Sequence, residues 1–312
     1  TLLHSVAGFF SYRGQWKDAE GFQLEAVKLR EEVLGSEHPS TLTSIANLVS
    51  MYQDQGRWEE AEKLGVQVME TRKTKLGADH PDTLTSMGNL ALTYRDQGRW
   101  EEAEKLEVQV METSKTKLGA DHPDTLTSMG NLASTYWKQG RWEEAEKLGV
   151  QVMETRKMKL GADHSDTLTS MGNLASTYRN QGWWEEAENL EVQVMQTFKT
   201  KLGADHPDTL TSMGNLASTY RNQGRWEEAE ELQANEFAMC AKALGTRHPD
   251  TLISMNNLAL IWKDMGRHGD AVALIQTCFD LRQQVLGESH PSTQSTLSTL
   301  EAWLEENEPL VV

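Results

Sequence analysis

The chain has 312 residues, with 47 acidic against 30 basic side chains and a formal net charge of −17. Only 38% of residues are hydrophobic and no run nears the ~18–20 apolar residues of a membrane span, so no membrane partner is expected. So acidic a chain also makes nucleic acid a poor partner, because affinity there comes from Lys and Arg on phosphates.

In chain order, residues 1–36 read as a first helical hairpin that begins inside a helix and carries Phe9 and Phe10. Six units of 42 residues follow, at 37–78, 79–120, 121–162, 163–204, 205–246 and 247–288. Residues 289–312 close the array as a capping helix, roughly Ser292 to Glu306, with a polar end of Glu305, Glu306, Asn307 and Glu308. The period is fixed by three residue types in one register: His at 38, 80, 122, 164, 206, 248 and 290, Trp from 16 to 226, and Ala from 19 to 271. Residues 76–91, 118–133 and 202–217 share the string LGADHPDTLTSMGNLA. The chain opens Thr-Leu-Leu-His, without a Met or a signal-peptide pattern, and its front hairpin lacks a polar cap. More chain is therefore expected before Thr1 in the natural protein.

One unit gives the structure. Pro81 suits the first turn of a helix and Asp82 favours its N-terminus. Leu84, Met87, Leu90, Ala91 and Tyr94 then form one helical face, and Gln97-Gly98 breaks it. A second helix starts near Trp100 with Glu101, Glu102 and Glu104, presents Trp100, Ala103, Leu106, Val110 and Leu118, and stops at Gly119. The periodic tryptophans are expected in the core, and Ala91 and Ala103 at the tightest crossing of the two helices. Such a hairpin of about 17 plus 20 residues cannot bury its apolar face alone. The units must stack, giving an all-α, right-handed superhelical solenoid as a single domain over 1–312.

The run Asn89-Leu90-Ala91, Tyr94, Gly98, Trp100 and Ala103 resembles the tetratricopeptide repeat (TPR). With H-P-D-T, Q-G-x-W-E-E-A-E and K-x-L-G at a period of 42, it is similar to the kinesin-light-chain subtype, also found at the C-terminal end of fungal and bacterial NLR-type signalling proteins. Near-identical copies favour the NLR-type sensor array. The resemblance implies a cytoplasmic scaffold that binds protein or peptide in the concave groove lined by the polar face of each first helix. A kinesin-light-chain-like cargo adaptor is the alternative, and a structural or self-assembling array the third reading, with a monomer able to associate end to end.

Differences between copies concentrate on that polar face. One register holds Gln53, Arg95, Trp137, Arg179, Arg221 and Lys263, and the next includes Asp54, Asp96, Lys138 and Asp264. Either nothing constrains these positions, or they select the ligand; the fixed Glu pairs elsewhere and the lone Trp137 favour selection. Asn47, Asn89, Asn131, Asn173, Asn215 and Asn257 form a ladder that could bond the main chain of an extended peptide, or instead hold neighbouring helices locally. Gly88, Gly130, Gly172 and Gly214 precede four of them, allowing either close approach of a ligand or close helix packing. Lys138, Arg179 and Arg221 read as groove cations without acidic neighbours in their registers, so the expected ligand is an acidic or carboxylate-bearing peptide anchored near Trp137.

The single histidine per repeat is expected to pack a loop; stacked helices sit too far apart for His from successive repeats to share a zinc ion. No catalytic constellation, phosphate loop or nucleophile elbow occurs, so neither enzyme activity nor a cofactor is expected. Cys240 and Cys278 are expected as buried, inert thiols in a reducing compartment.

Overall fold

The computed structural model describes residues 2–12 and 15–307. Glu308, expected at the polar end of the cap, lies outside the described residues. The chain divides into two units, Thr1–Thr177 and Tyr178–Val312, each packed mainly within itself. Among the described residues all regular structure is helical.

The first unit runs α1 (Leu2–Tyr12), α2 (Trp16–Leu34), α3 (Pro39–Asp54), α4 (Trp58–Leu76), α5 (Pro81–Asp96), α6 (Trp100–Leu118), α7 (Pro123–Lys138), α8 (Trp142–Leu160) and most of α9 (Ser165–Gln181). Each helix from α1 to α7 packs on the next, and α3–α5 and α5–α7 also touch, so these first helices lie side by side. The second unit runs α10 (Trp184–Leu202), α11 (Pro207–Asn222), α12 (Trp226–Leu244), α13 (Pro249–Asp264), α14 (His268–Leu286) and α15 (Pro291–Asn307). Its helices also pack in succession, with α11 and α13 touching.

Local chemistry sets the boundaries. Gly98 takes φ 76° between α5 and α6, a left-handed conformation that costs a side chain but not glycine. Pro81 and Pro123 stand at the first helical position. The preceding histidine is the N-cap: His80 Nδ1 accepts from the Asp82 backbone N–H at 3.1 Å. Thr83 Oγ1 donates back to the Gly77 carbonyl at 2.9 Å and closes the loop.

The core is the expected one in most positions. Leu84, Met87, Leu90, Ala91 and Ala103 are buried, the two alanines completely. The tryptophans are a correction: Trp100, Trp142, Trp184 and Trp226 remain about 40% exposed. Each begins its helix, where the first turn projects beyond the packed stripe. Leu118 is 40% exposed at the other end for the same reason.

Candidate functional site

Along the first helices of the first unit, Asn47 and Asn173 are exposed while Asn89 and Asn131 are half-buried. In the second unit Asn215 and Asn257 are half-buried. Among the described residues none of these six side-chain amides has a hydrogen-bond partner. The local-bond reading of the ladder is therefore not what the structure contains. A Cβ added at Gly88, Gly130 or Gly172 would meet nothing within 4 Å, so these glycines do not serve close helix packing. They leave backbone accessible beside the amides.

The variable register does different work from that expected. Gln53 Nε2 donates to the Asn89 carbonyl at 3.1 Å and to Thr93 Oγ1 at 2.8 Å. Trp137 Nε1 donates to the Ser176 carbonyl at 3.4 Å, and the Lys138 ammonium lies 5.1 Å from its ring centre. Arg179 Nη1 donates to the Asn215 carbonyl at 3.2 Å and to Glu191 Oε1 at 3.0 Å. Arg221 pairs with Asp264, and Lys263 Nζ with Glu306 at 2.5 Å. The groove cations thus have acidic neighbours, contrary to expectation. Arg179 and Arg221 have direct partners, and Lys138 and Arg95 act electrostatically on Asp96. Glu191, Asp264 and Glu306 come from the following helix or repeat and Asp96 from α5 itself, which a comparison within one register does not reveal.

A cleft of about 190 Å³ opens where α5, α6 and α7 meet. Asn89 and Asn131 both line it, together with Gly88, Ser114, Asp124 and Ser128. The ladder and an open cleft therefore coincide within one unit.

Two inter-repeat networks were not anticipated. Arg99 Nη1 reaches Glu62 of the preceding repeat at 2.7 Å, its Nη2 reaches Glu102 at 2.5 Å, and its guanidinium lies 4.2 Å from the Tyr94 ring centre. Arg72 Nη1 donates to the Asp82 carbonyl and to Ser86 Oγ at 3.2 and 2.9 Å. The signal was present in the sequence as an arginine in one register of the repeat, at 30, 72, 156 and 282. Glu107 is buried with neither carboxylate oxygen hydrogen-bonded, and burial pushes its carboxyl above the usual range.

All seven periodic histidines accept through Nδ1 from the backbone N–H two residues on, which accounts for their spacing. Among the described residues no group of His, Cys, Asp and Glu is arranged to hold a metal ion. Cys240 and Cys278 are free and buried. Burial raises both thiol pKa values, and Cys240 Sγ donates to Glu236 Oε1 at 3.0 Å.

Family models described as tetratricopeptide repeat match residues 1–74, 43–116, 108–158, 124–200, 166–234 and 208–271, and a second such model matches 251–292. Nearly identical TPR-like repeats of kinesin light chain type from Podosopora anserina are 35% identical to this chain, over 66% of it and 97% of theirs, with a TM-score of 0.54. The quorum sensor NprR, solved with its cognate peptide NprX, shares the fold at 15% identity and TM-score 0.64, over 97% of this chain and 86% of its own. A STAND ATPase with a TPR sensor from Pyrococcus horikoshii shares it at 16% identity and TM-score 0.59, over 91% of this chain and 44% of its own. No curated protein matches the chain significantly.

Proposed function

The chain belongs to the tetratricopeptide repeat family, and we propose that it is a non-catalytic scaffold that holds an extended peptide on the first-helix face of its first unit. The observation that carries this reading is the row Asn47, Asn89, Asn131 and Asn173, whose amides keep their full bonding capacity, the last three beside open glycines and Asn89 and Asn131 on a cleft. An amide offers two donors and one acceptor, which suits the main chain of a peptide whatever its sequence. Asn215 and Asn257 give the second unit a shorter copy of the same face. NprR, bound to its peptide in the solved complex, supports peptide recognition as the use of this fold.

An acidic ligand finds less support than peptide binding itself, because Arg179, Arg221 and Lys263 are already engaged. Arg95 and Lys138 are the cations left to attract a carboxylate on this face. We assign the array to the sensing region of a larger NLR-type signalling protein; the STAND neighbour with its TPR sensor supports that placement. The kinesin-light-chain type of the Podosopora repeats supports the cargo-adaptor alternative. No described helix is long and apolar enough to cross a membrane, and the free thiols suit a reducing compartment such as the cytoplasm.

The test is a peptide-library screen of the parent and of a variant carrying Asn89→Ala, Asn131→Ala and Asn173→Ala, after equal melting has been checked. Loss of selected peptides in the variant supports the face. Equal binding, or concentration-dependent association by light scattering with no peptide bound, overturns it in favour of another surface or of self-assembly.

A further inference from the structure

The second helices carry an arginine in one register, and that register explains the cleft. Arg30 Nη1 donates to the Ser40 carbonyl at 2.8 Å and to Ser44 Oγ at 2.6 Å. Arg156 repeats this with the Asp166 carbonyl and Ser170 Oγ, at 3.2 and 2.9 Å. Arg282 does so with the Ser292 carbonyl and Thr296 Oγ1, at 3.1 and 2.5 Å. Together with Arg72, four repeats therefore seat a guanidinium on the first turn of the next helix.

Three copies break the pattern, with Ser114, Phe198 and Cys240. Phe198 fills the place with its own ring and is 8% exposed; Cys240 is bonded to Glu236. Ser114 does neither. It is 3% exposed, has no hydrogen-bond partner among the described residues, and stands on the wall of the cleft. The seat that an arginine would take, Asp124 and Ser128, lines the same cleft.

The hydroxyl of that seat has responded. Where arginine is present, Ser86 Oγ and Ser170 Oγ donate to the carbonyl four residues back, at 2.9 and 2.8 Å. Ser128 Oγ donates instead to the Thr125 carbonyl at 2.8 Å, three residues back. Ser212, opposite Phe198, does the same at 2.6 Å. The Asp124 carbonyl has thus lost both the guanidinium and the hydroxyl that its counterparts receive.

Charge agrees with an unfilled seat. Lys117, also on the cleft wall, is paired with Asp79 at 3.0 Å. Among the described residues the one ion-pair partner of Asp124 is His122 at 3.8 Å, whose Nδ1 is already an acceptor in the helix cap. The Asp166 carboxylate, its counterpart one repeat on, acts on Arg156. The volume of about 190 Å³ is far above the ~10–15 Å³ that one water needs.

We infer that this cleft is an arginine seat emptied by Ser114, and that it takes a cationic side chain, a guanidinium above an ammonium, from the bound peptide. A guanidinium suits a carbonyl beside a hydroxyl, the pair it meets in the four intact repeats, and the Asp124 carboxylate adds charge to this seat as Asp166 does to that of Arg156. Asn89 and Asn131 flank the seat and would hold the main chain on either side of the inserted residue. The inference rests on the peptide-binding reading for its source of the cation, while the seat itself rests on the repeat comparison.

The probe is N-acetyl-argininamide, with N-acetyl-citrullinamide as its uncharged analogue, titrated against isotope-labelled protein and followed by amide chemical shifts around α5, α6 and α7. The parent should bind the arginine probe saturably, and the citrulline probe about tenfold more weakly or worse, the size of a lost charged hydrogen bond. Ser114→Arg supplies the missing guanidinium internally and should abolish binding without lowering the melting temperature. Should that variant melt below the parent, Asp124→Asn, on an exposed side chain, carries the test by weakening the arginine probe selectively. Equal binding of the two probes, or undiminished binding in both variants, overturns the seat. The peptide screen fails or succeeds separately. Peptides that need the asparagines but show no preference for arginine leave the scaffold reading standing and remove the seat. An arginine probe bound by a chain that selects no peptide does the reverse.

Discussion

Arg179 donates a hydrogen bond to the buried carboxylate of Glu191 at 3.0 Å, and the same nitrogen reaches the Asn215 carbonyl at 3.2 Å. A side chain placed by its register on a ligand-facing surface is therefore the partner of a buried charge. Arg179 is 17% exposed and Glu191 only 2%. Removing the arginine strands a carboxylate in low dielectric, where its partner had offset part of the desolvation cost.

Arg179→Ala should therefore lower stability by about 2 kcal/mol, and adding Glu191→Gln should recover most of the loss. Denaturant melts of the parent, both single variants and the double variant measure the coupling. Additive losses would show that the pair does not interact.

Glu107 gives a pH prediction. Burial raises its folded pKa, and Thr135 and Arg95 oppose this less strongly. The native state therefore holds the proton more tightly than the unfolded chain. That contribution to stability is fully present below the unfolded value near pH ~4.3 and is lost as pH rises through the raised folded value. Glu107→Gln should stabilise by about 1 kcal/mol at neutral pH and by much less near pH ~4. The chain already places glutamine in this register: Gln23 Nε2 donates to the Ser44 carbonyl at 2.9 Å. Thermal melts at the two pH values decide it, and an equal gain at both would contradict the burial argument.

The histidine caps can be tested against the metal reading. His122 Nδ1 accepts from the Asp124 backbone N–H at 3.2 Å. His122→Ala should cost about 1 kcal/mol, and His122→Asn should cost little, because asparagine is a good N-cap. Melting in the presence of EDTA should match melting without it; a drop would mean that the histidines hold a metal.

Arg72 tests the intact seat. It is 7% exposed and donates to the Asp82 carbonyl and Ser86 Oγ. Arg72→Ser copies the natural state at position 114 and should destabilise by about 2 kcal/mol. It should also create a second binding position for N-acetyl-argininamide, read from new shifts near α3, α4 and α5. A variant as stable as the parent, with no new shifts, would show that the guanidinium contributes nothing there.

Sequence comparison among the repeats was enough for the helices, their ends and most of their core. A histidine before the first helical turn and a glycine after each stop act within four residues and recur in every copy, as does the proline of the first turn except at Ser165, so their effects are local. Ala103 could be named as a crossing point because its register is alanine at every position from 19 to 271, whereas the register of Ala91 also accepts Val49. The amide ladder was equally legible, since Asn89 and its counterparts recur at the repeat period. Tertiary structure alone decided what the variable polar residues meet. Gln53 reaches 36 residues ahead to Asn89, Arg221 reaches 43 ahead to Asp264, and Ser114 faces a seat ten and fourteen residues on that an arginine fills in four other copies. Each of these meetings depends on one helix lying against the next. A register compares positions that are equivalent, whereas charge, cavity and hydrogen bonding depend on positions that are adjacent.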